Sequence, residues 1–155
     1  MFDIETLFEK INTFFKENLN SKIVDINNEK GDKLLTSFPG ECYISGSLDE
    51  KIMNYDNVCF SYIESIEATS NGAAVSKKVI VEVDLLFNQK YDFMDYKRIL
   101  RYQRALLDCA ILAWGKVALG YSDCNVVSLN PIDVKLFNSS HWTKVIGIQI
   151  EFNIN

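Results

Sequence analysis

The side chains best suited to chemistry in this chain are its single histidine, its four cysteines, a few paired carboxylates and one basic stripe. His141 lies in the run Asn138-Ser139-Ser140-His141-Trp142-Thr143. With a serine or cysteine and a carboxylate it would form a nucleophile relay. The chain has no nucleophile-elbow glycine pair and no reactive-cysteine signature, so His141 reads as a polar loop residue. Cys42, Cys59, Cys109 and Cys124 are scattered, with none at the two-residue spacing of a zinc knuckle or redox pair. They read as buried thiols of a reducing compartment. Glu82 and Asp84 share one face of an alternating segment, and Glu64 and Glu67 stand near the end of a hairpin. Such pairs can move protons or hold a divalent ion. The alternation around them assigns them instead to the wet face of a half-exposed sheet. No glycine-rich phosphate loop is present. The reading is of a protein that is not an enzyme, with no cofactor and no metal.

The basic stripe is the most distinctive charge feature. Lys97, Arg101 and Arg104 recur at four- and three-residue steps, which puts them on one face of a helix, with Arg98 beside them. They stand in an acidic chain of net charge −5 and pI about 4.9. That balance argues against affinity built on phosphate neutralisation, and so against direct sequence-specific binding of nucleic acid. One reading of the stripe is a solvated face with weak pairs such as Arg104 with Asp108. The other is a contact for an acidic surface on a neighbouring subunit. The segment 41–56 offers one, with Glu41, Asp49, Glu50 and Asp56 against Lys51 alone.

The elements that must position these groups are legible as periodicities. A helix over 3–19 follows from Ile4, Leu7, Phe8, Ile11, Phe14, Phe15 and Leu19, with Asp3 as cap and exits near Asn18 and Asn20. Ile23-Val24-Asp25-Ile26 reads as an edge strand. From about 27 to 57 no period persists, which marks a functional arm or hidden short strands. Val58, Phe60 and Tyr62 then open a hairpin that turns at Ser70-Asn71-Gly72 and returns through Val79, Val81, Val83, Leu85 and Phe87. Ile80 and Leu86 interrupt its polar face, so that face is expected to be covered by another subunit or a loop.

A second helix opens at Asp92 to Asp95, carries Ile99, Tyr102, Leu106, Cys109, Ala110 and Ala113, and stops between Gly115 and Gly120. Residues 125–137 are extended but broken at Asn130-Pro131, which implies an edge or a bulge. Ile146, Ile148, Ile150, Phe152 and Ile154 form one face of a final strand that belongs to the core. The fold class is α+β: an antiparallel sheet of two hairpins, with an N-terminal and a central helix packed on it. A chain of 155 residues forms one domain. It has no apolar run long enough to span a membrane. The opening Met1-Phe2-Asp3-Ile4-Glu5 lacks a signal-peptide pattern, which implies the cytosol.

This element order resembles the tail-terminator and tail-completion proteins of long-tailed bacteriophages and phage-derived particles. The segment from Tyr55-Asp56-Asn57-Val58-Cys59-Phe60 to Phe87 is similar to that family's first hairpin. Residues 95–114 are similar to its crossing helix, and Asn125 to Ile154 to its closing strands. The resemblance is one of pattern and length across nearly the whole chain and carries over no individual residue. It implies a structural virion-assembly protein, a hexameric ring on the head-proximal end of the tail tube. Such a ring stops tube polymerisation and supports head-tail joining. It implies as partners further copies of the chain, the tail tube protein and a head-completion or neck protein. The place would be the bacterial host cytoplasm during assembly, then the virion or tail-like particle. Ile80, Leu86, Lys97, Arg101, Arg104, Glu41, Asp49, Glu50 and Asp56 are the candidate subunit-interface residues. The alternatives are a connector or neck adaptor of the same particle, and a small monomeric ligand-binding or immunity-type module. A metal-dependent nuclease built on Glu82 or Asp84 is the enzymatic rival.

Overall fold

A computed structural model describes residues 3–46, 55–72, 74–88, 96–117, 124–136 and 142–154; within these, the side chains of 71, 88, 113–117, 124–136 and 142–145 are not described. Helix α1 spans Ile4–Lys30. Asp3 caps it, its carboxylate accepting from Glu5 N–H at 3.1 Å and from the Thr6 hydroxyl at 2.9 Å. The helix runs eleven residues past the end expected at Leu19, and the reason lies in its apolar spacing. Leu7, Ile11, Phe15 and Leu19 are continued by Ile23 and Ile26, all buried. The expected edge strand at 23–26 is therefore helix, with Val24 and Asp25 turned outward. The asparagines read as exits bond elsewhere: Asn18 Nδ2 donates back to Phe14 O at 2.9 Å. The true stop is Gly31, at φ 69° in the left-handed region. There Gly31 N–H donates to Asn28 O at 3.3 Å and Asp32 N–H to Asn27 O at 3.1 Å, a Schellman closure.

The described part of the irregular stretch holds one short strand and is clamped to α1 by two asparagines. Asn20 Nδ2 donates to Phe38 O at 2.8 Å while Phe38 N–H donates to Asn20 Oδ1 at 2.7 Å. Asn27 binds both backbone groups of Leu35 in the same way, at 2.9 and 3.1 Å. Each amide imitates a strand neighbour and satisfies backbone polar groups that would otherwise be stranded against the core. After a single turn of 3₁₀ helix at Gly40–Cys42 comes β1, Tyr43–Ser45.

Strands β2 (Asn57–Asn71) and β3 (Ala74–Asn88) form the long hairpin. Helix α2 follows at Tyr96–Val117, then β4 (Cys124–Leu136) and β5 (Trp142–Ile154). The sheet order is β1-β2-β3-β5-β4. The two antiparallel hairpins are as expected, and β1 adds a fifth strand that runs parallel to β2, pairing Tyr43 with Cys59 and Ser45 with Ser61. The final strand is interior, between β3 and β4. Ile146, Ile148, Ile150, Phe152 and Ile154 are all buried. Strand β4 is an edge, where Pro131 can be accommodated opposite Ile148, and its register shifts fall on either side, between Val126 and Ser128 and between Ile132 and Lys135.

Both helices pack on one sheet face. Val79, Val81, Val83, Leu85 and Phe87 of β3 form one core with the α1 stripe and with Tyr102, Ala105, Leu106, Cys109 and Ala110 of α2. Asp92 and Asp95, proposed to open α2, lie outside the described residues; Gly115, expected near its end, lies inside it.

Candidate functional site

The basic stripe lies on the outer surface of α2, beside the C-terminal end of α1. Two of its three members have partners inside the chain. Arg101 Nη1 meets Asp32 Oδ2 at 2.8 Å, and Arg104 Nη1 meets Glu29 Oε2 at 2.6 Å. The expected i,i+4 pair with Asp108 also forms, at 3.7 Å. The Arg104 hydrogen bond lowers the Glu29 pKa, and the bond from Arg101, then the Leu34 N–H, lowers that of Asp32. These exposed pairs hold α1 against α2 more than they stabilise the fold.

Lys97 and Lys30 make no ion pair among the described residues. With Arg101 and Arg104 they rim an open groove of about 280 Å³ whose apolar lining is Tyr96 and Leu100. Tyr96 is 70% exposed and Leu100 56%. A floor of aromatic and aliphatic carbon under cationic tips suits an anionic surface that also offers an apolar side chain. Lys30, Tyr96 and Leu100 were not singled out from sequence. The signal was the four-residue step from Tyr96 to Leu100, a second apolar stripe beside the buried one.

The acidic segment is only partly within view. Asp49 and Glu50 lie outside the described residues. Glu41 and Asp56 are exposed. Burial first, and the charges of Glu41 and Asp56 next, push the Cys42 thiol above its usual pKa. Half-buried Ile44 and Tyr55 adjoin them, over a small cluster with Val58, Phe60 and Leu86. This cluster corrects the expectation for Leu86. It is 2% exposed because its own chain covers it, so it offers no surface to a neighbouring subunit. Ile80 is half-buried.

Glu82 and Asp84 are the second correction. They were assigned to a wet sheet face, yet they are 3% and 6% exposed. In the register of the sheet Tyr62, Glu82 and Gln149 lie side by side across β2, β3 and β5. The Tyr62 hydroxyl donates to Glu82 Oε2, and Gln149 Nε2 donates to Glu82 Oε1 at 2.8 Å. Burial and then the carboxylate push the Tyr62 pKa up, which keeps the phenol a donor. Phe60 stacks on Tyr62 with ring centroids 5.1 Å apart. Alternation gives the face on which a residue lies, and it does not give how far that face is covered. Glu64 and Glu67 are exposed, as expected.

His141 lies outside the described residues. No group of three or more histidine, cysteine or acidic side chains suited to a metal ion occurs among the described residues. Cys42, Cys59 and Cys109 are free and buried. Burial pushes Cys59 well above the usual thiol pKa and Cys109 up to about 12. All three should therefore resist a thiol reagent at pH 8 in native protein and react at once in denaturant. Labelling followed by mass spectrometry checks this, and rapid native modification of Cys59 or Cys109 would contradict it. A larger hollow, about 620 Å³, follows α1 from Thr6 to Asn18, but its described lining comes from that helix alone. No described helix is long and apolar enough to cross a membrane. Comparison with protein-family models and with curated proteins finds no match.

Proposed function

We propose that this chain is an assembly protein that forms a ring on the head-proximal end of a phage-like tail tube, stops its growth and presents the docking surface for the head or neck. The observation that supports this most is where the surplus apolar surface lies. Large exposed apolar side chains sit on two separate parts of one chain. Among the described residues, Ile66 (52% exposed) and Val75 (55%) are on the long hairpin, whereas Val24 of α1 and Tyr96, Leu100 and Ile111 of α2 lie on the outside of the helical layer. In a ring each copy meets two neighbours through two different patches, so a subunit needs distinct sticky surfaces rather than one self-complementary one. The hairpin also has reach. Strand β5 accompanies β3 only as far as Lys77, while β2 and β3 stay paired through Thr69–Ser76, Ser70–Val75 and Asn71–Ala74. Among the described residues no third strand pairs with that tip, which suits contact along the tube axis.

The test is the tail-length distribution, by electron microscopy, in particles from a strain with this gene deleted. Overlong headless tubes that shorten on complementation are expected. Tails of normal length without heads would replace the terminator by a connector of the same particle. Intact infectious particles would overturn the assembly reading. The monomeric binding module would then take its place, with the Phe60, Tyr62 and Gln149 face as its recognition surface.

A further inference from the structure

We infer that the sheet continues from copy to copy: the outer edge of β2, from Tyr62 to Ala68, pairs antiparallel with the outer edge of β4, residues 124–130, of a second copy of this chain. This deepens the ring reading above and rests on it for the closure of the ring. Polarity, level and composition select the occupant. β2 runs antiparallel to β3, β3 to β5 and β5 to β4, so the two edge strands point in opposite directions. A second copy laid beside β2 in the same orientation offers its β4 as an antiparallel neighbour, and the alternation goes on unbroken.

The two edges are also open at the same level. β1 occupies the outer side of β2 at residues 59–61, and Gly46 N–H donates to Ser61 O at 2.9 Å. From Tyr62 to Asn71 no described strand pairs on that side. The row of Ser61 runs through Val83 and Ile148 to Pro131, the one residue of β4 without an N–H. Each edge bulges once in this region, on either side of the row Ser65, Ile80, Glu151, Ser128, so both bend at nearly one height. Edges that stay exposed are guarded by lysine, proline or other charges. Residues 65–71 hold no lysine, arginine or proline, and 124–130 hold neither proline nor any charge. Ile66, 52% exposed, ends a row that runs through Val79 and Phe152, both buried. A strand added there completes that row.

The contact joins two different edges of one chain, which makes it heterologous, the kind that repeats around a ring instead of stopping at a pair. The row of Ala68 ends at Cys124, the first residue of β4, so Thr69 to Asn71 overhang and leave the hairpin tip to the tube.

That same row supplies the test. Ala68, Lys77, Ile154 and Cys124 stand side by side, three strand spacings or about 14 Å from end to end. A disulfide spans at most about 7 Å between Cα atoms, so position 68 can reach Cys124 only in another copy. Full-length Ala68→Cys protein is mildly oxidised, beside Ile66→Cys and Ser70→Cys to catch a slip of two residues. A ladder of covalent oligomers on a non-reducing gel is expected from at least one of the three, with Cys124 in the linked peptide by mass spectrometry. Adding Cys124→Ser should abolish it, and Glu67→Cys, on the opposite face, should give about tenfold less. Cys42, Cys59 and Cys109 are buried and do not compete. Circular dichroism and thermal melting show that each variant is folded. No covalent oligomer at up to about 1 mM protein overturns the pairing. So do links that survive Cys124→Ser, and a ladder as strong in Glu67→Cys protein. Crosslinks together with normal tails after gene deletion would leave the pairing standing and remove the terminator reading. Overlong tails with no crosslink would do the reverse.

Discussion

Phe38→Ala is expected to cost about 3–5 kcal/mol, the range for emptying a fully packed aromatic site. Phe38 is 1% exposed. Its ring lies 6.3 Å from Tyr43, 6.1 Å from Phe87 and 6.1 Å from Tyr102, centroid to centroid. It thus joins the irregular segment to β1, β3 and α2 at one point. Its backbone is held on both sides by Asn20, and Thr36 N–H donates to the Tyr102 hydroxyl at 2.8 Å. Losing the ring leaves those polar bonds without the packing that orients them. The cavity cannot refill cheaply, because the neighbouring rings belong to three different elements. Phe38→Leu should cost less, because it keeps much of the apolar volume. Urea denaturation monitored by circular dichroism measures both, and a loss under about 1 kcal/mol for the alanine variant would refute the role given to Phe38.

The second large effect is expected at the polar row. Tyr62→Phe and Gln149→Leu each remove a donor from the buried Glu82 carboxylate. Bonds to a charged acceptor in such a place are worth about 1.5–3 kcal/mol each. Stability should fall by that amount in either single variant. The double variant should fall by less than the sum, since both changes act on one shared acceptor. Single losses below about 0.5 kcal/mol would show that Glu82 does not depend on these donors, and additive losses would show that the two donors do not share it as one acceptor. The row has a geometric use as well. It crosses three adjacent strands at one register position, so a slip of β2 by one residue would carry Tyr62, and a slip of β5 would carry Gln149, to the opposite face. Interior polar groups often serve to select one arrangement among near equals, and this placement fits that use.

Periodicity made most of the body readable. Alternation picked out Ile146 to Ile154 of β5 and Val79 to Phe87 of β3, which lie opposite each other on the same buried face, because a strand with one covered face must alternate. Pro131 marked an edge because it cannot donate to an interior ladder. What escaped was set by partners distant in sequence. Asn18 and Asn20 look like helix stops, and Asn20 becomes a clamp only because Phe38 arrives beside it. Glu82 looks solvated until Tyr62 and Gln149 close on it from neighbouring strands. The three-residue β1 has too few residues to show a period. In the candidate site, the cationic stripe was legible as helical spacing. Its counterions were not, since Glu29 and Asp32 sit at the end of a helix that seemed to stop earlier.

The interior position of β5 bears on how the chain comes together. Lys77 lies opposite Ile154 and Val83 opposite Ile148, so the centre of the sheet joins segments that are distant along the chain. Loop-closure entropy is spent before such contacts repay it, which makes docking of this strand a slow event in folding. Until it docks, β3 presents a full row of open backbone groups along one side, backed by the apolar residues from Val79 to Phe87. That unfinished sheet is the species most prone to pair with another unfinished chain. Soluble yield should accordingly be governed by synthesis rate, temperature and chaperone supply as much as by the final stability of the protein.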